Sequence, residues 1–366
     1  GNDNFSILAS KSEEIPNSWE TNDSLLFIKI NSSGEYIQHS AIHVEERTNV
    51  IRPYSLNNGN ILFYGSLREY YTWDFSAWEY TPEGQQNWEL HLGGNVNGIA
   101  PADNGNLYIF SWEDIPYEEG KINYDDVVII KVTSNGDTLW TKNIPSNSYS
   151  QSLRAGTPTS DNGCLALGSK GVEDRGVDMW ALRFDANGDT LWSNTYGGDR
   201  YDEIHSVQEL SDGNFLIVGT IGLRDTTNTD YSLNSGDQSY LVKISPSGEK
   251  LWSQAVGRTL REEFKGLVEG SDGSIILCGY VMESYAYIFD TDIGWVQKLD
   301  ANGESLWREE FENKLPMGVC ELSNGEIIVA TRNNDPDNPY WGYDRSINII
   351  KFSSTGTLLS DATLNP

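Results

Sequence analysis

The sequence predicts an all-β fold: a seven-bladed β-propeller of four-stranded antiparallel blades, with the first blade incomplete. Three observations lead there. A short apolar run enters a tight glycine turn seven times, at Gly34, Gly84, Gly136, Gly188, Gly248, Gly303 and Gly356. Their spacing of roughly 50 to 60 residues marks one supersecondary unit repeated in series. In the five middle repeats a tryptophan follows four residues later, at Trp88, Trp140, Trp192, Trp252 and Trp307. Aromatic residues make up 11% and glycine 35 of the 366 residues, while runs with helical spacing are scarce. That balance favours short strands joined by turns.

The stretch from Tyr201 to Arg258 shows why each element forms. Ile204 to Leu210 alternates as a first strand, and Ser211-Asp212-Gly213-Asn214 is a hairpin signal. Phe215 to Gly219 is a continuously apolar second strand, followed by a long polar loop. Tyr240 to Ile244 reads as a third strand, Ser245-Pro246-Ser247-Gly248 reverses it, and Leu251-Trp252-Ser253 begins a fourth. Second and third strands are apolar on both faces because a blade is packed between two neighbours. The recurrent tryptophan suits a fourth strand that fills the gap between twisted blades.

Second strands start near Phe5, Asn60, Asn106, Cys164, Asn214, Ser274 and Glu326, and third strands lie near Phe27, Trp78, Ile129, Ala181, Leu241, Val296 and Ile349. First strands are found only near Val50, Ile99, Ser152, Ser206, Gly266 and Gly318. Seven blades with an irregular closure follow, in a single domain with blades at 1–47, 48–94, 95–146, 147–200, 201–259, 260–313 and 314–366. Six full blades plus an appended hairpin is the alternative. An unpaired edge is a liability, so the missing first strand is the weak point of a closed ring.

The unit from Asp178 to Gly219 carries Trp180, Asp185-Ala186-Asn187-Gly188-Asp189-Thr190-Leu191-Trp192, Tyr196-Gly197-Gly198, Ser206-Val207 and Ser211-Asp212-Gly213. It resembles the repeat of secreted and lipid-anchored propeller proteins of Bacteroidetes. The resemblance covers nearly the whole chain, although Gln38 and Ser360 replace the tryptophan in the end blades. The hairpin also resembles the tryptophan-docking repeat of quinoprotein-like propellers and, more loosely, the Asp-box turn of sialidases. These likenesses imply a fold and an exported, lipid-anchored location, periplasmic or at the cell surface. They imply no activity and no quinone.

Composition bounds the partners. Asp and Glu outnumber Lys and Arg by 54 to 25, a formal charge of −29. Nucleic acids and anionic membranes would be repelled, which leaves cations, glycans and basic protein surfaces. No apolar stretch approaches the roughly 20 residues that span a bilayer. Cys164, Cys278 and Cys320 each sit in an apolar run and read as three buried free thiols, without the spacing of a zinc site. No cofactor is expected, and calcium in an acidic loop is the one cation left open.

Internal repetition separates scaffold from site: a residue present in every blade serves the blade. An aspartate precedes each third strand, at Asp23, Asp74, Asp126, Asp178, Asp237, Asp292 and Asp344. That regularity points to backbone hydrogen bonding rather than a cation ring. The segments beginning at Asp185 and Asp300 start like calcium loops but lack the full ligand series, so they read as hairpin turns.

The unrepeated residues lie in loops between second and third strands and in blade connections, on one face. They include Arg68, Tyr71, Trp73, Trp112, Asp114, Tyr117, Arg175, Arg200, Tyr201, Arg224, Tyr285, Tyr287, Tyr340, Trp341, Tyr343 and Arg345. So many aromatic residues in loops either pack over blade edges or form a platform that binds a glycan or a protein. The leading expectation is a binding module without catalysis. The rival is a propeller glycoside hydrolase or polysaccharide lyase using loop carboxylates. His205, in a first strand, is the one candidate general base, with Arg52, Arg154 and Lys265 in comparable inner strands.

Overall fold

A computed structural model describes residues 5–14, 21–30, 36–43, 48–56, 59–69, 72–81, 83–93, 96–102, 105–113, 126–146, 150–173, 176–198, 201–224, 235–256, 262–281, 293–334 and 343–364, with side chains from Leu56 onward except at several strand ends. Every regular element among them is a strand, and the strands form seven consecutive antiparallel sheets. The first has three strands, β1 (Phe5–Glu14), β2 (Thr21–Ile30) and β3 (Tyr36–His43). Each of the other six has four, laid side by side in chain order. They are β4 to β7 (Thr48–Ser55, Ile61–Glu69, Thr72–Tyr80, Gln86–Gly93) and β8 to β11 (Val96–Pro101, Leu107–Glu113, Asp126–Val132, Thr138–Ile144). Then come β12 to β15 (Gln151–Pro158, Cys164–Val172, Gly176–Phe184, Thr190–Tyr196) and β16 to β19 (Asp202–Glu209, Phe215–Arg224, Ser235–Ile244, Lys250–Val256). The last two are β20 to β23 (Glu262–Glu269, Ile275–Val281, Ile293–Leu299, Ser305–Glu312) and β24 to β27 (Lys314–Glu321, Ile327–Asn334, Tyr343–Phe352, Leu358–Leu364). The chain is a β-propeller.

Hydrophobic burial between sheets holds the blades together. Tyr108 and Phe110 of the third sheet pack with Trp180, Leu182 and Phe184 of the fourth. Met179 and Ala181 face the other way, onto Phe215, Ile217 and Val242 of the fifth. The same alternation continues in the sixth sheet, where Trp295 packs with Val218 and Leu241 of the fifth and Val296 with Val329 and Ile350 of the last. Period-two strands buried on both faces are what the apolar second and third strands require.

The opening repeat of the sequence is a docking contact between blades. The third-to-fourth turn places its glycine at positive φ, 82° at Gly248, and closes with Gly248 N–H donating to Ser245 O. That glycine lies on the tryptophan of the preceding blade: a Cβ at Gly248 would sit 2.9 Å from the Trp192 ring. Gly188 meets Trp140, Gly303 meets Trp252 and Gly356 meets Trp307 in the same way. Trp192 Nε1 donates to Pro246 O at 2.8 Å, and Trp140 and Trp307 donate to Ala186 O and Ser354 O. The second sheet departs from this pattern. Trp88 donates instead to Glu79 within its own blade, and Gly136 meets Leu90.

Two further repeated contacts are electrostatic. In the last four sheets a cation near the end of the third strand is anchored by a carboxylate from the first hairpin: Arg183 by Asp161, Lys243 by Asp212 at 2.8 Å, Lys298 by Asp272 at 3.1 Å, Lys351 by Glu326. Burial alone would raise the Asp212 carboxyl. Lys243 and Asn214 outweigh it and hold the group below its ordinary value. At the ends of three inner strands, Glu209 accepts from Ser160, Glu269 from Ser211 and Glu321 from Ser271 of the preceding blade.

Candidate functional site

The innermost strands approach one another in series, β8 to β12, β12 to β16, β16 to β20 and β20 to β24. They therefore converge around a central channel. Each interrupts its pairing with the second strand at one equivalent place. The register shifts fall between Val50 and Arg52, Val96 and Gly98, Leu153 and Ala155, Ile204 and Ser206, Phe264 and Gly266, and Pro316 and Gly318. Six β-bulges result, with Ile51, Asn97, Arg154, His205, Lys265 and Met317 as the extra residues. A bulge bends its strand and re-aims the side chain it carries.

Small residues make the bulges possible. A Cβ at Gly168 would lie 1.7 Å from Ser152 O, and one at Gly219 or Gly279 would lie 2.2 Å from the carbonyl of Glu203 or Glu263. In the last five of these sheets the residue after the bulge is small as well, because neighbouring inner strands come close there. A Cβ at Gly98 would meet Arg154 O at 2.0 Å, and Gly266 lies against Gly318 of the next blade. Leu153, Ile204 and Phe264, just before three of the bulges, are buried between blades. Their neighbours across the strand consequently face the channel.

The channel-facing residues form a compact polar group. Arg154 Nη1 reaches Glu203 Oε1 of the next blade at 3.4 Å. Lys265 Nζ pairs with Glu263 Oε2 at 2.8 Å, and Tyr280 Oη donates to the same oxygen at 2.6 Å. Lys265 Nζ also lies 5.4 Å from the Tyr280 ring centroid. These four charged side chains are a third to half exposed. The group opens toward the long-loop face, since Asp202, at the start of β16, pairs with Ile221 near the end of β17. Tyr201 stands exposed at that entrance. Trp112 follows Ser111 as Tyr280 follows Gly279, which puts both aromatic residues at one register of the second strands.

Among the sequence-predicted residues, Trp112, Tyr201 and His205 come to this mouth. Arg68, Trp73, Arg224, Tyr343 and Arg345, expected in loops, instead belong to β5, β6, β17 and β26, because the strands run further toward that face. Tyr71, Asp114, Tyr117, Arg175, Arg200, Tyr285, Tyr287, Tyr340 and Trp341 lie outside the described residues. Arg52 is not comparable to Arg154 and Lys265: the bulge falls at Ile51, and Arg52 pairs with Tyr64. Glu203, Glu263 and Tyr280 were not singled out by sequence reasoning.

Of the recurring aspartates, Asp126 and Asp178 hold the same register, two residues before Val128 and Trp180, which pair with Ser111 and Gly168, while Asp292 lies outside the described residues. Asp126 accepts from Ser146 N–H, a local backbone role. Asp185 and Asp300 each accept two N–H groups of their own hairpins. Among the described residues no group of three His, Cys, Asp or Glu could hold a metal ion. No helix among them is long and apolar enough to cross a membrane.

The cysteines are free, with Cys164 and Cys278 buried and Cys320 only partly so, and burial pushes the Cys320 thiol up to about 11. A cleft of about 770 Å³ opens between the fourth and fifth sheets, beside Tyr196, Gly197, Tyr240 and Lys250. Its origin is packing. Tyr240 occupies the place that the larger Trp180 and Trp295 fill in neighbouring blades. Tyr196 and Asn194 on its wall already donate to Gly248 O.

No family model matches the chain. An uncharacterized WD repeat-containing protein of Acanthamoeba polyphaga mimivirus is 24% identical over 237 residues, 59% of this chain. The chain spans 15% of that protein's length. Among solved structures, an ulvan lyase from a polysaccharide lyase family, bound to -[GlcA(1-4)Rha3S]-, superposes with a TM-score of 0.59 at 11% identity, over 87% of this chain and 86% of that one. A Synechocystis apocarotenoid oxygenase superposes with a TM-score of 0.51 at 8% identity, over 100% of this chain and 94% of that one. At these identities the likeness is one of fold.

Proposed function

We propose that this chain is an exported, lipid-anchored propeller of seven blades that binds a glycan at the channel mouth on its long-loop face. One observation carries the reading. The inner-strand bulges recur at one register, yet the side chains they present do not repeat: Asn97, Arg154, His205, Lys265 and Met317. A repeated backbone device with unrepeated side chains suits a recognition site better than a scaffold. Around it stand Trp112, Tyr201 and Tyr280, whose rings can stack on sugar faces, and carboxylates and cations that can bond hydroxyl groups. The ulvan lyase that shares the fold was solved with a saccharide bound.

A glycan array probed with the wild-type protein and with Tyr280→Ala tests this. The wild type is expected to bind a defined set of glycans, and the variant to lose about tenfold in affinity, the value of one stacking contact of ~1.4 kcal/mol. Unchanged binding by Tyr280→Ala would place the ligand elsewhere.

A second reading is hydrolysis or elimination on the same glycan. Glu203 and Glu263 occupy the same register of adjacent inner strands, and two carboxyl groups could divide acid and base roles. Release of reducing ends by the wild type, abolished in Glu203→Gln, would establish it. Binding without release over a polysaccharide panel would dismiss it.

A further inference from the structure

We infer that the channel mouth selects a neutral glycan over an acidic one, an inference that rests on the glycan reading above. Two described cations at the mouth, Arg154 and Lys265, already have counter-charges. Arg154 faces Glu203 at 3.4 Å, and Lys265 faces Glu263 at 2.8 Å, with Tyr280 Oη donating to the same carboxylate. A uronate or sulfate group would have to displace a glutamate to reach either cation, leaving that carboxylate unpaired beside a second anion. Like charges held together are costly. The formal charge of −29 adds a repulsive field that any polyanion must cross before it arrives.

A neutral sugar meets the opposite situation. Adjacent hydroxyl groups each donate and accept, and a carboxylate beside an ammonium or guanidinium offers an acceptor next to a donor. One such pair, Arg154 with Glu203, bridges the fourth and fifth sheets, and the other, Lys265 with Glu263, lies in the sixth beside Tyr280. Ion pairs this exposed contribute little to stability, so their alternating polarity is available to a ligand.

Native affinity gels cast with neutral polymers (xylan, mannan or mixed-linkage glucan) or acidic ones (polygalacturonate or alginate) read this directly. At least one neutral polymer should retard the wild type, and the retardation should persist at high salt. Glu263→Gln and Arg154→Ala should each weaken it about tenfold or more, as expected for loss of a charged hydrogen bond. Both should keep the wild-type unfolding midpoint, because the pairs they break are half exposed. Retardation by an acidic polymer, relieved by salt and lost in Arg154→Ala, would overturn the neutral preference while leaving glycan binding intact. Retardation by no polymer would remove the glycan reading and this inference with it.

Discussion

Gly168→Ala is expected to lower stability by about 3 kcal/mol or more, at the upper end of what overpacking costs. The alanine methyl would lie 1.7 Å from Ser152 O and 2.8 Å from the Leu153 Cα. Both neighbours are backbone, so no side-chain rotation relieves the clash. The inner strand β12 would have to withdraw from β13, and the bulge that presents Arg154 would open with it. Urea unfolding of the variant beside Gly198→Ala provides the comparison, since a Cβ at Gly198 meets nothing within 4 Å. Equal midpoints for the two variants would mean that β12 and β13 are not as close as described.

Trp180→Ala is expected to cost about 3–5 kcal/mol, the range for emptying a buried aromatic site. Trp180 is 1% exposed, packs with Tyr108 and Phe110 of the preceding blade, and donates to Ser193 Oγ at 2.8 Å. Trp295, at the equivalent register, is fully buried, but its Nε1 finds no hydrogen-bond partner among the described residues. Phenylalanine should therefore separate the two sites. Trp180→Phe loses a hydrogen bond, whereas Trp295→Phe removes an unsatisfied donor and should be the milder change by about 1 kcal/mol. Unfolding midpoints in urea for the three variants check the order, and a harsher Trp295→Phe would contradict it.

The scaffold is legible in the sequence because it repeats. The glycine turns and the following tryptophans locate blade hairpins, and the structure shows why the two travel together: each glycine lies against the tryptophan of the blade before it. The second sheet shows the limit of that inference. Trp88 keeps the repeat in sequence but donates to Glu79, where the later sheets carry Lys131, Arg183, Lys243, Lys298 and Lys351. A carboxylate in place of a cation redirected the indole.

The mouth is harder to read because a bulge is a property of two strands in register. One signal was present. Gly98, Ala155, Ser206, Gly266 and Gly318 follow the bulged residues, and Gly65, Ser111, Gly168, Gly219 and Gly279 lie opposite the residues before them. Paired small residues in adjacent strands mark close backbone approach. Nine of the aromatic, acidic and arginine residues singled out from sequence fall outside the described residues, namely those near 71, 114–117, 175, 200, 285–287 and 340–341.

The central claim is that repeated bulges deliver unrepeated side chains to one binding site, and a crystal structure with a neutral oligosaccharide tests it most directly. Sugar density is predicted at the channel mouth, with hydroxyl groups on Glu203 and Glu263 and a ring face against Tyr280. Density confined to the cleft beside Tyr240 and Lys250, with the mouth empty, would contradict the account.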